Sequence, residues 1–285
     1  MRLGRAATGL PAPLRAAKLA ALLPALLPAL LLAGPAGAQC SRAIAVPVAP
    51  IGVSIIVQGG TVSGIYPDVL RTASQKAGCQ LVFTGVPRAR QEVLFEMGKA
   101  DLLVPATRTT ARDQAGTFIP LIGHRATLIS LAGPRPALAS AQELLERREL
   151  RVAVVRGFDY GEHYQALVKE LAKQGRLFQE VDSVAVARLM QAGTIDITIM
   201  GPTTLAGAVM HDTRLAGLLD KLRIEPIPEL PWSTSGIYVS RRSLKPEDQA
   251  VMLDMVERIA KSNAVMEGFQ RVHRPDILAE SVRPR

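Results

Sequence analysis

Apolar runs alternate with amphipathic segments along this chain, in a strand–helix order that occurs twice. The apolar runs predict strands at 44–49, 81–83, 102–104, 151–155, 177–181 and 195–200. Segments with apolar positions at helical spacing predict helices at 67–77, 87–97, 161–174 and 183–192. Ser183 is the expected N-cap of the last helix. The strands are apolar throughout, as in parallel sheets covered on both faces, so we predict two similar α/β lobes with right-handed crossovers.

Two stretches of sequence show the repeat directly. Residues 97–112 read MGKADLLVPATRTTAR, and residues 192–204 read AGTIDITIMGPTT. In each, a predicted helix ends at a glycine, an aspartate follows three residues later, and an apolar strand leads into small and hydroxyl residues. These residues are Gly98 and Asp101 in the first stretch and Gly193 and Asp196 in the second. The same offset separates the glycines and the aspartates, which indicates one pattern in both lobes.

Two extended segments connect the predicted lobes. One covers 125–131, and the other covers 224–232 and contains Pro226, Pro228 and Pro231. A strand at 236–240 and a long helix at 246–260 follow. If this tail returns to the first lobe, the two crossings form a hinge. The expected organisation is lobe 1 at 39–128, lobe 2 with the hinge crossings at 129–230, and the return to lobe 1 at 231–285.

The N-terminal segment, residues 1–38, has the three parts of a secretory signal peptide. Basic residues come first, an apolar run at 19–33 follows, and the small residues AGA end the segment. A membrane anchor is the alternative, but Pro24 and Pro28 interrupt a run already shorter than the ~20 residues of a bilayer span. We predict cleavage after Ala38 and export to the periplasm of a Gram-negative cell.

The chain has two cysteines, Cys40 and Cys79, and each precedes a predicted strand. Gln39 argues against lipid attachment at Cys40, because lipoprotein processing normally requires a small residue at that position. If the two strands are adjacent and parallel, both sulfur atoms lie at the same edge of the sheet, within the span of a disulfide. We predict a Cys40–Cys79 disulfide, which an oxidising compartment permits, with two free thiols as the alternative.

Composition and charge narrow the classes of function. Hydrophobic residues make up 48% of the chain, enough for buried cores. The formal net charge is +9, but part of it belongs to 1–38 and aromatic residues are only 4%, so no nucleic-acid partner is expected. The four histidines are scattered, and the sequence contains neither a metal-binding motif nor a nucleotide-binding loop. We expect no metal, no cofactor and no catalytic residue, and we expect a monomer.

Loops after the predicted strands supply the candidate binding residues, because ligands of parallel α/β sheets bind beyond the carboxyl ends of the strands. These residues are Thr107, Thr109, Arg112, Gly157, Phe158, Asp159, Tyr160, Gly201 and Thr203. The planar guanidinium of Arg112 can bind a carboxylate through two charge-assisted hydrogen bonds, and Thr107 can add donors. The segment from Gly157 to Tyr160 begins a helix, whose free N–H groups attract anions. On spacing alone, a surface arginine beside turn-forming threonines is an equal alternative.

The segment from Gly64 to Asp68, the G-x-x-D turns and the T-x-x-R ending at Arg112 together resemble the periplasmic solute-binding proteins of amino-acid ABC importers, the family-3 extracellular solute-binding proteins. The resemblance covers residues 43–275. It implies the type II periplasmic-binding-protein fold, with two Rossmann-like lobes and a two-segment hinge, and delivery of a solute to an ABC permease. It also implies that Arg112, Thr107 and the helix start in lobe 2 hold the α-carboxylate of an amino acid.

Several positions depart from that family's pattern. Gly201 stands where the family usually has the aspartate that holds the α-ammonium group, and Phe158 and Asp159 replace paired small hydroxyl residues. The aromatic residue that often covers the ligand is missing at 51–53. We therefore expect an anionic or zwitterionic small molecule. Either Asp159 supplies the negative charge that Gly201 lacks, or the ligand is a carboxylate without an amine.

Two other functions remain open on the same fold. Cyclohexadienyl dehydratases resemble this architecture converted to catalysis, in which case Asp159 or Glu162 would be the general acid. A sensory receptor without a dedicated importer would use the same binding chemistry. Our primary interpretation is a solute-binding protein rather than an enzyme.

Overall fold

Strands and helices alternate in the first part of the chain and form most of lobe 1. The computed structural model describes residues 40–285, and the predicted signal peptide lies outside the described residues. Lobe 1 begins with β1 (Ile44–Val48), β2 (Ile56–Gln58), β3 (Thr61–Ser63), α1 (Ile65–Lys76), β4 (Leu81–Gly85), α2 (Arg88–Glu96), β5 (Leu102–Thr107), α3 (Thr110–Asp113) and β6 (Gly116–His124). β1 and β4 are adjacent and parallel, as the predicted Cys40–Cys79 disulfide requires.

The middle of the chain forms lobe 2. Its elements are β7 (Thr127–Leu131), α4 (Ala141–Glu146), β8 (Val152–Val155), α5 (Glu162–Lys173), β9 (Leu177–Glu180), α6 (Ser183–Gln191), β10 (Ile197–Met200), α7 (Pro202–Met210) and β11 (Leu222–Glu225). The five strands have the order β11-β7-β10-β8-β9. β8 is parallel to β9 and β10, whereas β7 is antiparallel to β10 and β11. The sheet is mixed because β7 follows the first hinge crossing and β11 precedes the second, so neither strand is joined to the sheet by a helical crossover there.

The last part of the chain returns to lobe 1. It contains β12 (Ser233–Ser240), α8 (Pro246–Lys261), α9 (Ala264–Val272), α10 (Pro275–Ala279) and β13 (Val282–Arg283). β12 lies between β5 and β6 and is antiparallel to both, in the order β13-β6-β12-β5. The chain therefore crosses between the lobes twice, at 125–126 and at 226–232. This is the predicted fold class, two α/β lobes joined by a two-segment hinge.

The repeated aspartates occupy equivalent places in the two lobes. Asp101 accepts hydrogen bonds from the Ala45 N–H (2.7 Å) and from the guanidinium of Arg42 (2.7 and 2.8 Å). Asp196 accepts hydrogen bonds from the N–H (2.8 Å) and the Nε (3.0 Å) of Arg151. Each aspartate thus connects the strand that follows it to the first strand of the repeat. The Asp101 side chain is 2% exposed and that of Asp196 is 33% exposed, so the two connections differ in burial.

The Cys40–Cys79 disulfide is present. Its cysteines lie just before β1 and β4, whose pairing begins with Ile44 opposite Leu81. The bridge closes the edge of the sheet at which both strands begin, so the prediction from strand adjacency is confirmed.

Burial in the sheets follows the apolar character of the strands. Every residue of β8 and β10 is buried, whereas the edge strands β4 and β9 are partly exposed. The expected N-cap Ser183 is wrong by one position: the Asp182 side chain caps α6 by accepting a hydrogen bond from the Ala185 N–H (2.8 Å). Among residues 40–285, no helix has the length and apolar character needed to cross a membrane.

Trp232 lies in the second crossing and contacts two arginines. Carbon Cζ of Arg125, in the first crossing, is 4.7 Å from the centre of the indole ring, and that of Arg283, in β13, is 4.4 Å from it. Arg125 also forms an ion pair with Glu280. These cation–π contacts join both crossings to the C-terminal strand.

Candidate functional site

A cavity of about 80 Å³ lies between the lobes, and we call it the central cavity. Among its lining residues are Ser54, Tyr66, Arg88, Thr107, His124 and Ser235 of lobe 1, and Phe158, Asp159, Tyr160, Gly201, Thr203 and Thr204 of lobe 2. Thr107 ends β5, and the lobe 2 residues follow β8 and β10. The cavity therefore lies at the carboxyl ends of strands from both lobes, where α/β sheets bind ligands.

The lobes touch each other at two places beside this cavity. Gly52, in the loop after β1, packs against Gly207 of α7. A Cβ added at Gly207 would lie 2.4 Å from Val53 N. Gly157, after β8, packs against Ala89 of α2, whose N would lie 2.9 Å from an added Cβ. Both contacts bring backbone against backbone and leave no room for a side chain. The structure thus shows the lobes closed around the cavity.

Six of the predicted binding residues line the central cavity: Thr107, Phe158, Asp159, Tyr160, Gly201 and Thr203. The other three, Thr109, Arg112 and Gly157, line a second cavity of about 330 Å³. This second cavity lies between α2 and α3 of lobe 1 and β8 and α5 of lobe 2, and Phe158 and Asp159 also border it. The structure brings the predicted residues to one interlobe region but does not bring Arg112 to the central cavity.

Arg112 is buried, and protein atoms occupy its donor groups. Its Nε and Nη2 donate to the two carboxylate oxygens of Glu92 (3.0 and 2.8 Å), and its Nη1 donates to the Thr107 carbonyl (2.6 Å). The guanidinium fork that the sequence assigns to a ligand carboxylate binds the Glu92 carboxylate here. Sequence spacing does not show this pairing, because Glu92 lies on a different helix, α2.

Arg88 is a lining residue that the sequence analysis missed. It is the first residue of α2, and only 5% of it is exposed. Its Nη1 donates to Gln91 Oε1 (2.9 Å) and the Pro105 carbonyl (3.0 Å), and its Nη2 pairs with Glu92 (2.7 Å). Burial lowers the pKa of Arg88 from its ordinary value, and Glu92 opposes that effect. The signal that identifies Arg88 is its position after β4, since the strand-end rule applies to that loop too.

Tyr160 and His124 form an aromatic part of the cavity wall. The Tyr160 hydroxyl accepts a hydrogen bond from the Gly201 N–H (3.1 Å), and the Tyr160 and His124 ring centres are 5.5 Å apart. Burial raises the pKa of Tyr160 and lowers the pKa of His124 to about 4. Both side chains are therefore neutral near pH 7. His124 Nε2 lies 3.1 Å from Thr107 Oγ1, so these two groups share a hydrogen bond.

The C-terminal segment reaches lobe 2 beside the cavity through Ser281. Its Oγ accepts a hydrogen bond from the Thr203 N–H (3.0 Å) and lies 2.7 Å from Thr203 Oγ1. Its carbonyl accepts a hydrogen bond from the Arg125 N–H (3.2 Å) in the first crossing. The N–H of Thr203 at the start of α7 is therefore bonded to the protein and does not face a solute.

Comparison with known proteins gives matches in structure but none in sequence. No family model matches the chain, and no curated protein matches it. An ancestral arginine-binding protein bound to arginine is similar to this chain with a TM-score of 0.63 and 15% identity, over 80% of this chain and 97% of that one. AbpA, an amino acid ABC transporter substrate-binding protein from Streptococcus pneumoniae bound to L-arginine, has a TM-score of 0.63 and 16% identity, over 80% and 93% of the two chains.

A third solved structure, a histidine kinase sensor domain with similarity to periplasmic binding proteins, has a TM-score of 0.62 and 16% identity, over 81% of this chain and 95% of that one. The chain has the two-lobed fold of the periplasmic binding proteins. At these identities the similarity concerns the fold alone. That fold occurs in both transport-related proteins and a sensor domain.

Proposed function

We propose that this protein is a periplasmic solute-binding protein that captures a small carboxylate-bearing solute by lobe closure and presents it to an ABC permease. The observation that carries the proposal is the central cavity, which residues of both lobes line and which contains a buried arginine. A solute in this cavity stabilises the closed arrangement, because contacts with both lobes exist only there. The fold of amino-acid-binding proteins supports the same role.

The proposed ligand contacts are the predicted residues on the cavity wall. Phe158 and Tyr160 supply aromatic surface, and Thr107 and Thr203 supply hydroxyl groups. Asp159, whose Oδ1 accepts a hydrogen bond from the Gly161 N–H (2.8 Å), supplies the negative charge that is absent at the Gly201 position. Among carboxylate-bearing solutes, an amino acid fits because Asp159 then receives its ammonium group. The contributions of Thr109, Arg112 and Gly157 are indirect, since they border the second cavity.

The periplasmic location is also part of this proposal. The pattern of residues 1–38 is typical of a signal peptide, and the Cys40–Cys79 bond suits an oxidising compartment. The permease partner and the monomeric state follow from the role of a freely diffusing receptor.

Thermal-shift screening and isothermal titration calorimetry on protein purified from the periplasm test the proposal. The panel contains the L-amino acids, dicarboxylates and aromatic acids. At least one compound is expected to raise Tm and bind, and small-angle X-ray scattering is expected to show that the saturated protein is no less compact than the free protein. If no compound of the panel binds, the proposed function is wrong.

A sensory receptor is the second candidate, because a histidine kinase sensor domain has the same fold. Co-purification from membranes separates the two: recovery of a permease supports import, and recovery of a kinase supports sensing. The dehydratase alternative depends on Asp159, because Glu162 is exposed and is not on the central cavity wall. Turnover of prephenate or arogenate by the purified protein would establish that alternative.

A further inference from the structure

Arg88 has a donor group that the protein leaves unused. Both of its Nη atoms contact protein acceptors, but its Nε is buried and has no hydrogen-bond partner among the described residues. An unpaired buried donor is unfavourable, and native proteins retain few of them. Arg88 also lines the central cavity, so this side chain belongs to the wall of the proposed binding site.

The Glu92 carboxylate forms ion pairs with two arginines. Its Oε1 contacts Nη2 of Arg88 (2.7 Å) and Nη2 of Arg112 (2.8 Å), and its Oε2 accepts from Arg112 Nε (3.0 Å). One carboxylate therefore faces two guanidinium groups, and the cluster keeps one unit of positive charge. Arg112 borders the second cavity, so Arg88 is the guanidinium of this cluster that lines the central cavity.

Neighbouring groups hold the Arg88 guanidinium in one orientation. Gln91 and the Pro105 carbonyl accept hydrogen bonds from Nη1, and Glu92 forms an ion pair with Nη2. Across the lobe interface, Gly157 covers the Arg88 side chain, because an added Cβ there would lie 3.2 Å from Arg88 Cγ. A guanidinium fixed in this way loses little freedom when a solute binds, which favours binding.

We propose that Arg88 binds the carboxylate of the solute through its Nε–H, and that Glu92 and Arg112 are positioning residues for the Arg88 guanidinium. This inference rests on the proposed function and assigns the anion contact within it. The solute class is a compact carboxylate. An α-amino acid places its ammonium group toward Asp159, the acidic residue that the opposite lobe contributes to the wall.

Paired probes test the assignment. The amino acids of the screening panel are titrated against the unchanged protein and against Arg88→Gln, each alongside its α-carboxamide, which lacks the carboxylate charge. The unchanged protein is expected to prefer the acid by about tenfold to a hundredfold, the effect of a charge-assisted hydrogen bond. Arg88→Gln is expected to lose this preference while it binds the amide as before.

Arg90→Gln is the matched control, because it removes an exposed guanidinium from the same helix, α2. It is expected to keep the preference for the acid, whereas Arg112→Gln and Glu92→Gln, which disturb the positioning of Arg88, are each expected to reduce it in part. A loss of folding stability alone does not change the ratio of acid to amide affinity. The assignment is overturned if Arg88→Gln keeps the preference, or if Arg112→Gln alone abolishes it. Absence of binding by every compound of the screening panel overturns the proposed function itself.

Nuclear magnetic resonance of the unchanged protein provides a measurement that does not depend on any variant. The Nε–H signal of Arg88, assigned from the backbone resonances of α2, is expected to shift when a binding amino acid is added, and to shift less when its carboxamide is added. An Arg88 signal that stays in place at saturation with the acid overturns the assignment.

Discussion

Replacing Gly207 with alanine is expected to weaken solute binding without weakening the fold. Gly207 lies in α7 of lobe 2, and an added Cβ would lie 2.4 Å from Val53 N and 2.8 Å from Gly52 Cα. Gly52 and Val53 belong to lobe 1, so the collision exists only when the lobes are closed. Within the helix itself, alanine is more favourable than glycine by about 0.5–1 kcal/mol.

The magnitude follows from the distance. Atoms at 2.4 Å must separate by roughly 1 Å to reach an ordinary contact, and the neighbours are backbone atoms that cannot rotate away. Overpacking of this kind typically costs about 1–3 kcal/mol. This energy destabilises only the closed arrangement, which is the one that binds the solute. The affinity for the solute should therefore fall by roughly 5-fold to 150-fold.

Calorimetric titration with an amino acid that binds the unchanged protein measures the affinity, and urea unfolding measures the free energy of unfolding. Gly133→Ala is the control, because the nearest atom to an added Cβ there, the Leu131 carbonyl oxygen, is 4.0 Å away. We expect the control to bind normally. Gly207→Ala with unchanged affinity and unchanged small-angle scattering would refute the conclusion that this contact closes the site.

Three further predictions concern stability. Reduction of the Cys40–Cys79 bond, which has a sequence separation of 39, should lower the free energy of unfolding by about 3–4 kcal/mol. Urea unfolding with and without dithiothreitol measures this change, and equal midpoints would contradict the prediction. Burial holds the pKa of His124 at about 4, below the ordinary 6.5, so the unfolded state binds a proton that the folded state does not. Stability should therefore fall as the pH decreases from about 6.5 to about 4, by up to about 3 kcal/mol, and His124→Gln should show a flatter profile in urea unfolding across that range. Asp101→Asn should lower the free energy of unfolding by about 1.5–3 kcal/mol. Asp196→Asn should lower it by about 1 kcal/mol or less, because the ion pair of Asp196 is exposed. Equal losses in urea unfolding would contradict this difference.

Much of the fold follows from local sequence features. β8 and β10 are predictable because unbroken apolar runs require cover on both faces, and both strands are completely buried. The paired Gly-x-x-Asp turns predict the repeat because each aspartate connects neighbouring strands in its own lobe. The disulfide follows from the same strand adjacency.

The site is less predictable, because its chemistry depends on contacts between distant segments. Arg112 has the sequence context of a ligand-binding arginine, but Glu92, 20 residues away, binds its guanidinium. Arg88 has no distinctive sequence motif, and its place on the cavity wall follows from the packing of α2 against lobe 2. Ser281 contacts Thr203 across a separation of 78 residues, and no local pattern indicates such a contact.

The position of Trp232 has a consequence for observing the protein in solution. It is the single tryptophan of the sequence, and it contacts Arg125 and Arg283 where the two crossings meet β13. Movement of the lobes changes the backbone of these crossings and hence the charges around the indole ring. The chain therefore contains its own optical reporter, whose emission comes from one site and can follow opening and closing in rapid mixing without an attached dye.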